Sequence, residues 1–280
     1  METLPEVVQG GGLIFLGFFT GAYGALVGLG GGFVLVPVLL MIYADTFKDP
    51  AIVTAISLTV IFLNSVSASW AYARMNRINY QVGIPFAIAT VPGAILGAGA
   101  TTLVDRHTFI LVFGLFMIGM AAFLFIKPAR GQGGNDETEQ KTADPDGWAG
   151  WKPRVSTGQF ATGLVGSLLV GFLSSFLGIG GGVLHVPMMI YVLHFPVHVA
   201  TATSQFILAI TSMSGAGTHL MTGTLAQGAA QAVFLSIGVI FGAQAGAHLS
   251  NRLHGVWIVR SLALAIGVVG VRFVYSAIIT

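Results

Sequence analysis

Cysteine is absent from this sequence, which removes disulfides, thiolate metal sites and thiol relay chemistry together. Charge is nearly as scarce. Lysine and arginine number 12 and aspartate and glutamate 10, so 8% of the 280 residues are charged, where a soluble domain carries roughly a quarter. With 55% of residues hydrophobic and a mean hydropathy of +0.86, the chain cannot clothe a globule in polar groups. Its composition is that of an integral membrane protein. The formal net charge of +2 is spread over loops and points to neither nucleic acid nor a basic surface patch. No Asp or Glu falls within an expected span, so a buried carboxylate is not available for function. Ahead of the first apolar stretch stand Glu2 and Glu6 but no Lys or Arg. A cleaved signal peptide needs a basic start, so Leu13 onward is expected to remain as a membrane segment.

Glycine is present in a particular arrangement. Residues 28–37 read GLGGGFVLVP and residues 178–187 read GIGGGVLHVP, 150 positions apart and each inside apolar sequence. Glycines that break a membrane segment uncover backbone polar groups that hydrocarbon cannot solvate. Two such breaks at matching places of two halves mark a transporter site at a repeat interface. Apolar stretches fall at about 11–29, 33–43, 51–73, 80–103, 108–126, 157–177, 183–193, 199–219, 227–249 and 256–279. A spanning helix needs roughly 20 residues, so 33–43 and 183–193 read as the second arms of broken, re-entrant hairpins. The polar stretch 127–156, loaded with Gly, Asp, Glu and Pro, cannot bury a core and reads as a flexible cytoplasmic linker. Trp148 and Trp151 beside Lys152 and Arg154 would anchor its far end at the headgroups. The linker separates a first transmembrane repeat, 1–126, from a second, 157–280.

The halves match beyond the glycines. Thr54-Ala55-x-Ser57 answers Thr201-Ala202-x-Ser204 at an offset of 147, and Gly93-Ala94-x-x-Gly97-Ala98 answers Gly242-Ala243-x-x-Gly246-Ala247 at 149. The latter spacing lets helices approach closely in lipid, so those four glycines are assigned to packing. Two orientations follow from parity. If the arms around each GGG leave and return on one side, each half makes an odd number of crossings and the halves are inverted. Arg74, Arg77, Lys127, Arg130, Lys152, Arg154 and Arg252 then share one side, with the N-terminus, Lys48, Arg106 and the C-terminus opposite. If each 30-residue run crosses once, the halves are parallel with eight ordinary spans. The positive-inside rule favours inversion, with a cytoplasmic linker and both termini outside.

A GGG ahead of a short helix leaves the first amides of that helix unpaired, and the helix dipole adds partial positive charge there, which suits an anion. Gly30, Gly31, Gly32 and Gly180, Gly181, Gly182 are therefore the leading candidates, meeting near the midplane around one small anion. Pro37 and Pro187 are expected near the first turn, where a missing N–H does least harm. The plain alternative is that the glycines only permit tight helix crossing. A nucleotide-binding reading fails because no βαβ unit surrounds the motif. Ser57 and Ser204 are a matched pair of hydroxyls, and Asn64 and Gln205 the strongest neutral hydrogen-bonders nearby. Many membrane hydroxyls merely bond back to their own helix. Arg260 and Arg272 are expected to snorkel toward opposite faces. His185 stands where the first phrase has Leu35 and could carry a proton; a core histidine bonded to a carbonyl is the alternative. No metal site is expected, since Pro196 between His194 and His198 implies a loop.

The doubled G-x-GGG-x-x-x-VP phrase, the T-A-x-S that follows each copy and the later Gly-Ala pairs resemble the sulfite exporter TauE/SafE family of membrane permeases. The resemblance covers nearly everything except the linker and termini. It implies a multi-pass protein of the bacterial inner membrane, a secondary transporter of small sulfur oxyanions such as sulfite and organosulfonates like sulfoacetate. The expected fold is an all-α polytopic membrane protein of two homologous, inverted halves, each a glycine-broken hairpin plus three transmembrane helices. The expected partners are the small anion and the lipid bilayer, with room for proton coupling and for a homodimer, and with no nucleic acid and no cofactor. Two rival readings are an anion channel with paired half-helices and a membrane-embedded hydrolase using Ser174 or Ser175 with His219.

Overall fold

The computed structural model describes residues 6–43, 46–126, 155–250, 260, 264 and 266–275. The linker apart from Val155 and Ser156 lies outside these residues. So do Trp148, Trp151, Glu2 and the charges expected at Lys127, Arg130, Lys152, Arg154 and Arg252. All regular structure among the described residues is helical. In chain order it runs α1 (Glu6–Val27), α2 (Gly32–Ile42), α3 (Pro50–Arg74), α4 (Tyr80–Thr101), α5 (Arg106–Ile126), α6 (Thr157–Leu177), α7 (Gly182–Tyr191), α8 (Val197–Met221), a 3-10 turn (Thr224–Gly228), α9 (Ala229–Leu249) and α10 (Ile266–Tyr275). Six helices, namely α1, α3, α4, α5, α6 and the turn with α9, are long and apolar enough to cross a bilayer. α2 and α7, at 11 and 10 residues, are about half a span at 1.5 Å per residue, as the sequence leads one to expect of hairpin arms.

Local chemistry sets the helix ends. Asp49 caps α3 by accepting from the Ala51 amide, with Pro50 in the first turn. Asn79 accepts from Val82 to open α4, and Ser156 with Gln159 forms a capping box on α6. These contacts satisfy amides that helix geometry leaves orphaned. Ahead of α5, Asp105 takes the hydroxyl and the amide of Thr108 at 2.7 and 3.0 Å. Those bonds hold its carboxyl below the ordinary carboxylate range. Pro37 and Pro187 sit inside α2 and α7. They fall in the second turn rather than the first, and each removes the bond to a carbonyl four residues earlier.

The packing exchanges elements between the halves. α1 lies along α9, where Gly238, Gly242 and Gly246 face the backbone carbonyls of Ile14, Phe18 and Ala22. α4 lies along α6 in the same manner, with Gly93 and Gly97 against the carbonyls of Leu168 and Phe172. Residue numbers rise together along both pairs, so each pair is parallel. The four glycines assigned to packing therefore sit where a Cβ would strike a neighbouring helix. At the centre α3 and α8 are antiparallel, with Thr54 Oγ1 3.4 Å from His219 Nε2 and Leu58 beside Gly215. α5 and α10 are antiparallel too, with Phe113 against Phe273 and Ala121 beside Gly267. α3 is buried without a break from Pro50 to Leu58, while Phe15, Ile88, Leu96, Leu115, Val165, Leu169 and Phe241 on the surrounding helices are exposed, a pattern suited to a lipid-facing rim. Arg272 is also exposed.

Candidate functional site

The two glycine phrases fold into the same corner. Gly28, Gly30 and Gly31 have φ of 85°, 73° and 85°, and Gly178, Gly180 and Gly181 have 69°, 79° and 85°. A side chain in this left-handed region costs about 1–2 kcal/mol, so three glycines per corner allow a chain reversal that other residues would resist. Gly31 and Gly181 are the residues before α2 and α7 and supply no side-chain cap. Their carbonyls accept from the third and fourth amides, of Val34 and Leu35 and of Leu184 and His185. The amides of Gly31, Gly32 and Phe33, and of Gly181, Gly182 and Val183, find no acceptor among the described residues. Both helix starts are therefore uncovered and carry the positive end of a helix dipole.

The corners are brought together. A Cβ on Gly32 would meet the Gly178 carbonyl at 2.7 Å, and one on Gly182 would meet the Gly28 carbonyl. Ser57 donates to the Gly178 carbonyl at 2.7 Å and Ser204 to that of Gly28 at 3.0 Å. The matched serines thus each spend their proton on the opposite corner. Between the corners lie two side chains the sequence reading passed over, Ile61 and Leu208. Ile61 Cγ2 stands 2.7 Å from a Cβ placed on either Gly30 or Gly180, and Leu208 Cδ2 stands 3.0 and 3.6 Å from the same two positions. The anion seat expected midway between the triplets is filled by apolar groups in this conformation. The signal was available: 61 and 208 share the 147-residue offset of the T-A-x-S pair.

The polar side chains divide unevenly. Asn64, Ser65 and Gln205 are fully buried. Asn64 Oδ1 and Nδ2, Ser65 Oγ and Gln205 Oε1 have no hydrogen-bond partner. Ser65 and Gln205 reach the first corner, and Asn64 reaches α1 ahead of it. Asn64 Oδ1 is 3.0 Å from a Cβ placed on Gly21, and Ser65 Oγ is 3.3 Å from one on Gly30. Gln205 Nε2 donates to the Gly24 carbonyl at 2.8 Å, and Gly24 itself packs on Gly30 and Gly31. His185 is fully buried in α7 with neither ring nitrogen bonded. His219 faces Thr54, whereas Ser174 donates to the Gly171 carbonyl at 3.1 Å; no serine is paired with His219 among the hydrogen bonds of the described residues. No group of three or more His, Cys, Asp or Glu able to hold a metal occurs among the described residues.

Residues 13–273 match the sulfite exporter TauE/SafE family. The chain belongs to this family. It is 34% identical to a probable membrane transporter protein, YunE, of Bacillus subtilis over 95% of its own length and 97% of the relative's. It is 25% identical to the probable membrane transporter protein MJ0441 of Methanocaldococcus jannaschii over 92% of each chain. A probable membrane transporter protein of Xylella fastidiosa is 28% identical over 92% of this chain and 93% of the relative. No solved structure matches to a comparable degree. A TauE/SafE chain with six helices long and apolar enough to cross a membrane is a membrane transporter, and its glycine corners carry uncovered amides beside buried, unpaired polar side chains.

Proposed function

We propose that this protein is a secondary transporter, an exporter or permease of small sulfur-containing anions such as sulfite or organosulfonates, seated at its glycine corners. One observation carries the reading: uncharged donors, the amides of two helix starts and the buried side chains Asn64 and Ser65, collect where the chain breaks. Buried polar groups in proteins are almost always bonded, and a small oxyanion is the acceptor that suits such donors. Gly30, Gly31, Gly32, Gly180, Gly181 and Gly182 would supply backbone. Asn64, Ser57, Ser204, Gln205 and His185 would supply side chains, and His185 is the group open to proton coupling.

Alternating access is the mechanism this reading requires, by rocking one inverted repeat, 1–126, against the other, 157–280. Inversion is supported by the antiparallel run of the corresponding helices α3 with α8 and α5 with α10. α2 ends beside the start of α5, where Arg106 donates to the carbonyls of Leu40 and Phe47 at 2.7 and 2.8 Å. That α1 and α3 both run parallel to α9 supports a first hairpin that leaves and returns on one side. Arg74 and Arg77 end up opposite Lys48 and Arg106, and Lys127, Arg130, Lys152 and Arg154 of the linker add to the Arg74 side, an excess that favours a cytoplasmic linker in a bacterial inner membrane. With Ile61 and Leu208 between the corners, loading a shared central seat would require both side chains to move.

Purified protein in liposomes tests the proposal. Labelled sulfite should enter with saturable kinetics and be accelerated by unlabelled sulfite inside, the mark of a carrier. Flux equal to that of empty liposomes for sulfite and sulfoacetate rejects the reading, and single-channel currents without saturation replace it with an anion channel.

A further inference from the structure

The two corners share backbone but differ in chemistry. At the 147-residue offset, Asn64, Ser65 and Gln205 of the first corner correspond to Thr211, Ser212 and Leu58 of the second. Thr211 shares a 2.7 Å hydrogen bond with Thr90 and donates to the Ile207 carbonyl. Ser212 donates to the Leu208 carbonyl, and Leu58 has nothing to donate or accept. The second corner is therefore satisfied or apolar at each corresponding position. The first holds four unpaired polar atoms on three fully buried side chains, while the unpaired groups of the second hairpin are the ring nitrogens of His185 and the Ser175 hydroxyl. Gly21 and Gly24, which Asn64 and Gln205 approach, lie three residues apart on one face of α1, so these groups line one locale beside the uncovered amides of α2.

The inventory also constrains the ligand. A carbonyl can only accept, so the Gln205 atom on the Gly24 carbonyl is the amide nitrogen, and Oε1 is fixed as an unpaired acceptor. No Lys, Arg, Asp or Glu is buried among the described residues. Charging cost rises with the square of the charge, so a neutral buried locale disfavours a dianion far more than a monoanion. A bare oxyanion would also leave Oε1 facing another acceptor. Resting on the transport reading above, we propose that the first glycine corner supplies the side-chain contacts that discriminate between anions, and that the anion is a singly charged sulfur oxyanion with one hydrogen to donate to Gln205 Oε1. Hydrogen sulfite and hydroxyalkyl sulfonates have this form; sulfate and the sulfoacetate dianion do not.

The matched probes are ethanesulfonate and 2-hydroxyethanesulfonate, which share a charge and differ in one donor hydroxyl. Their affinities are read from thermal shift of the full chain in detergent. The wild type should bind the hydroxylated probe about tenfold tighter or more, since its rival leaves a buried acceptor unpaired. Gln205→Leu should bring the ratio to about one, and Gln205→Met gives the same readout if the leucine variant does not fold. Asn64→Ala should weaken both probes, while Thr211→Ala leaves both affinities within about twofold of wild type. A wild-type ratio near one overturns the proposal, as does a ratio that survives Gln205→Leu. Equal weakening by Thr211→Ala restores a two-sided site. Variants that shift the melting temperature without changing either affinity assign the unpaired atoms to ordered water. If neither these probes nor sulfite raises the wild-type melting temperature and liposome flux is also absent, the transport reading fails and this one with it; flux of sulfite without the predicted ratio sinks this one alone.

Discussion

Gly31 and Gly223 have similar backbone conformations, with φ of 85° and 76°, but different surroundings. A Cβ on Gly31 would strike the Thr20 carbonyl, whereas one on Gly223 would meet nothing within 4 Å. Gly223→Ala should therefore cost only the left-handed penalty, about 1–2 kcal/mol. Gly31→Ala should cost that and the displacement of α1 besides, so it should melt lower in the same detergent. Equal melting temperatures would mean that the corner yields to a methyl group and that its glycines are not required for close approach. The residue scale also shows the reach of motif reading. Gly30, Gly180, Asn64 and Gln205 stood out as types, and the structure brings them to the corners. The same reading could not tell that Asn64 is unpaired while its counterpart Thr211 is bonded to Thr90, because that depends on what α4 presents across the interface.

Among the helices, close crossings decide the packing. Gly97 and Gly99 are two residues apart on α4. The first faces the Phe172 carbonyl of α6, and the second has nothing within 4 Å. Gly97→Leu should push α4 off α6 and reduce the yield of monodisperse protein several-fold, whereas Gly99→Leu adds a lipid-facing side chain and leaves the yield near wild type. Similar yields would show that the crossing does not depend on backbone proximity. Element positions were legible because apolar length and glycine breaks are local properties. Pro37 and Pro187 lie in the second turn rather than near the first, because each helix already begins at the third glycine, five residues earlier.

For the whole molecule, the absence of native cysteine makes single-cysteine labelling clean. Asn76 and Gln227 are exposed residues in corresponding inter-helix connections of the two halves, after α3 and after α8. Inverted halves place Asn76→Cys and Gln227→Cys on opposite sides of the membrane, with Asn76→Cys on the cytoplasmic side. Parallel halves place them on the same side. An impermeant maleimide added to intact cells and then to opened ones reads the answer, and labelling of both positions from outside would dismiss inversion.

The sequence by itself determined that the chain lives in a membrane, where its helices lie and that its two halves repeat, since each follows from composition, run length or spacing along one strand of text. Tertiary structure alone decided that α1 pairs with α9 and α4 with α6, that Ile61 and Leu208 occupy the space between the corners, and that Asn64, Ser65 and Gln205 Oε1 are left unpaired while Thr211 and Ser212 are bonded. Those facts depend on which groups meet across tens to hundreds of residues of chain, and a buried atom's satisfaction is a property of its neighbours rather than of its own residue type.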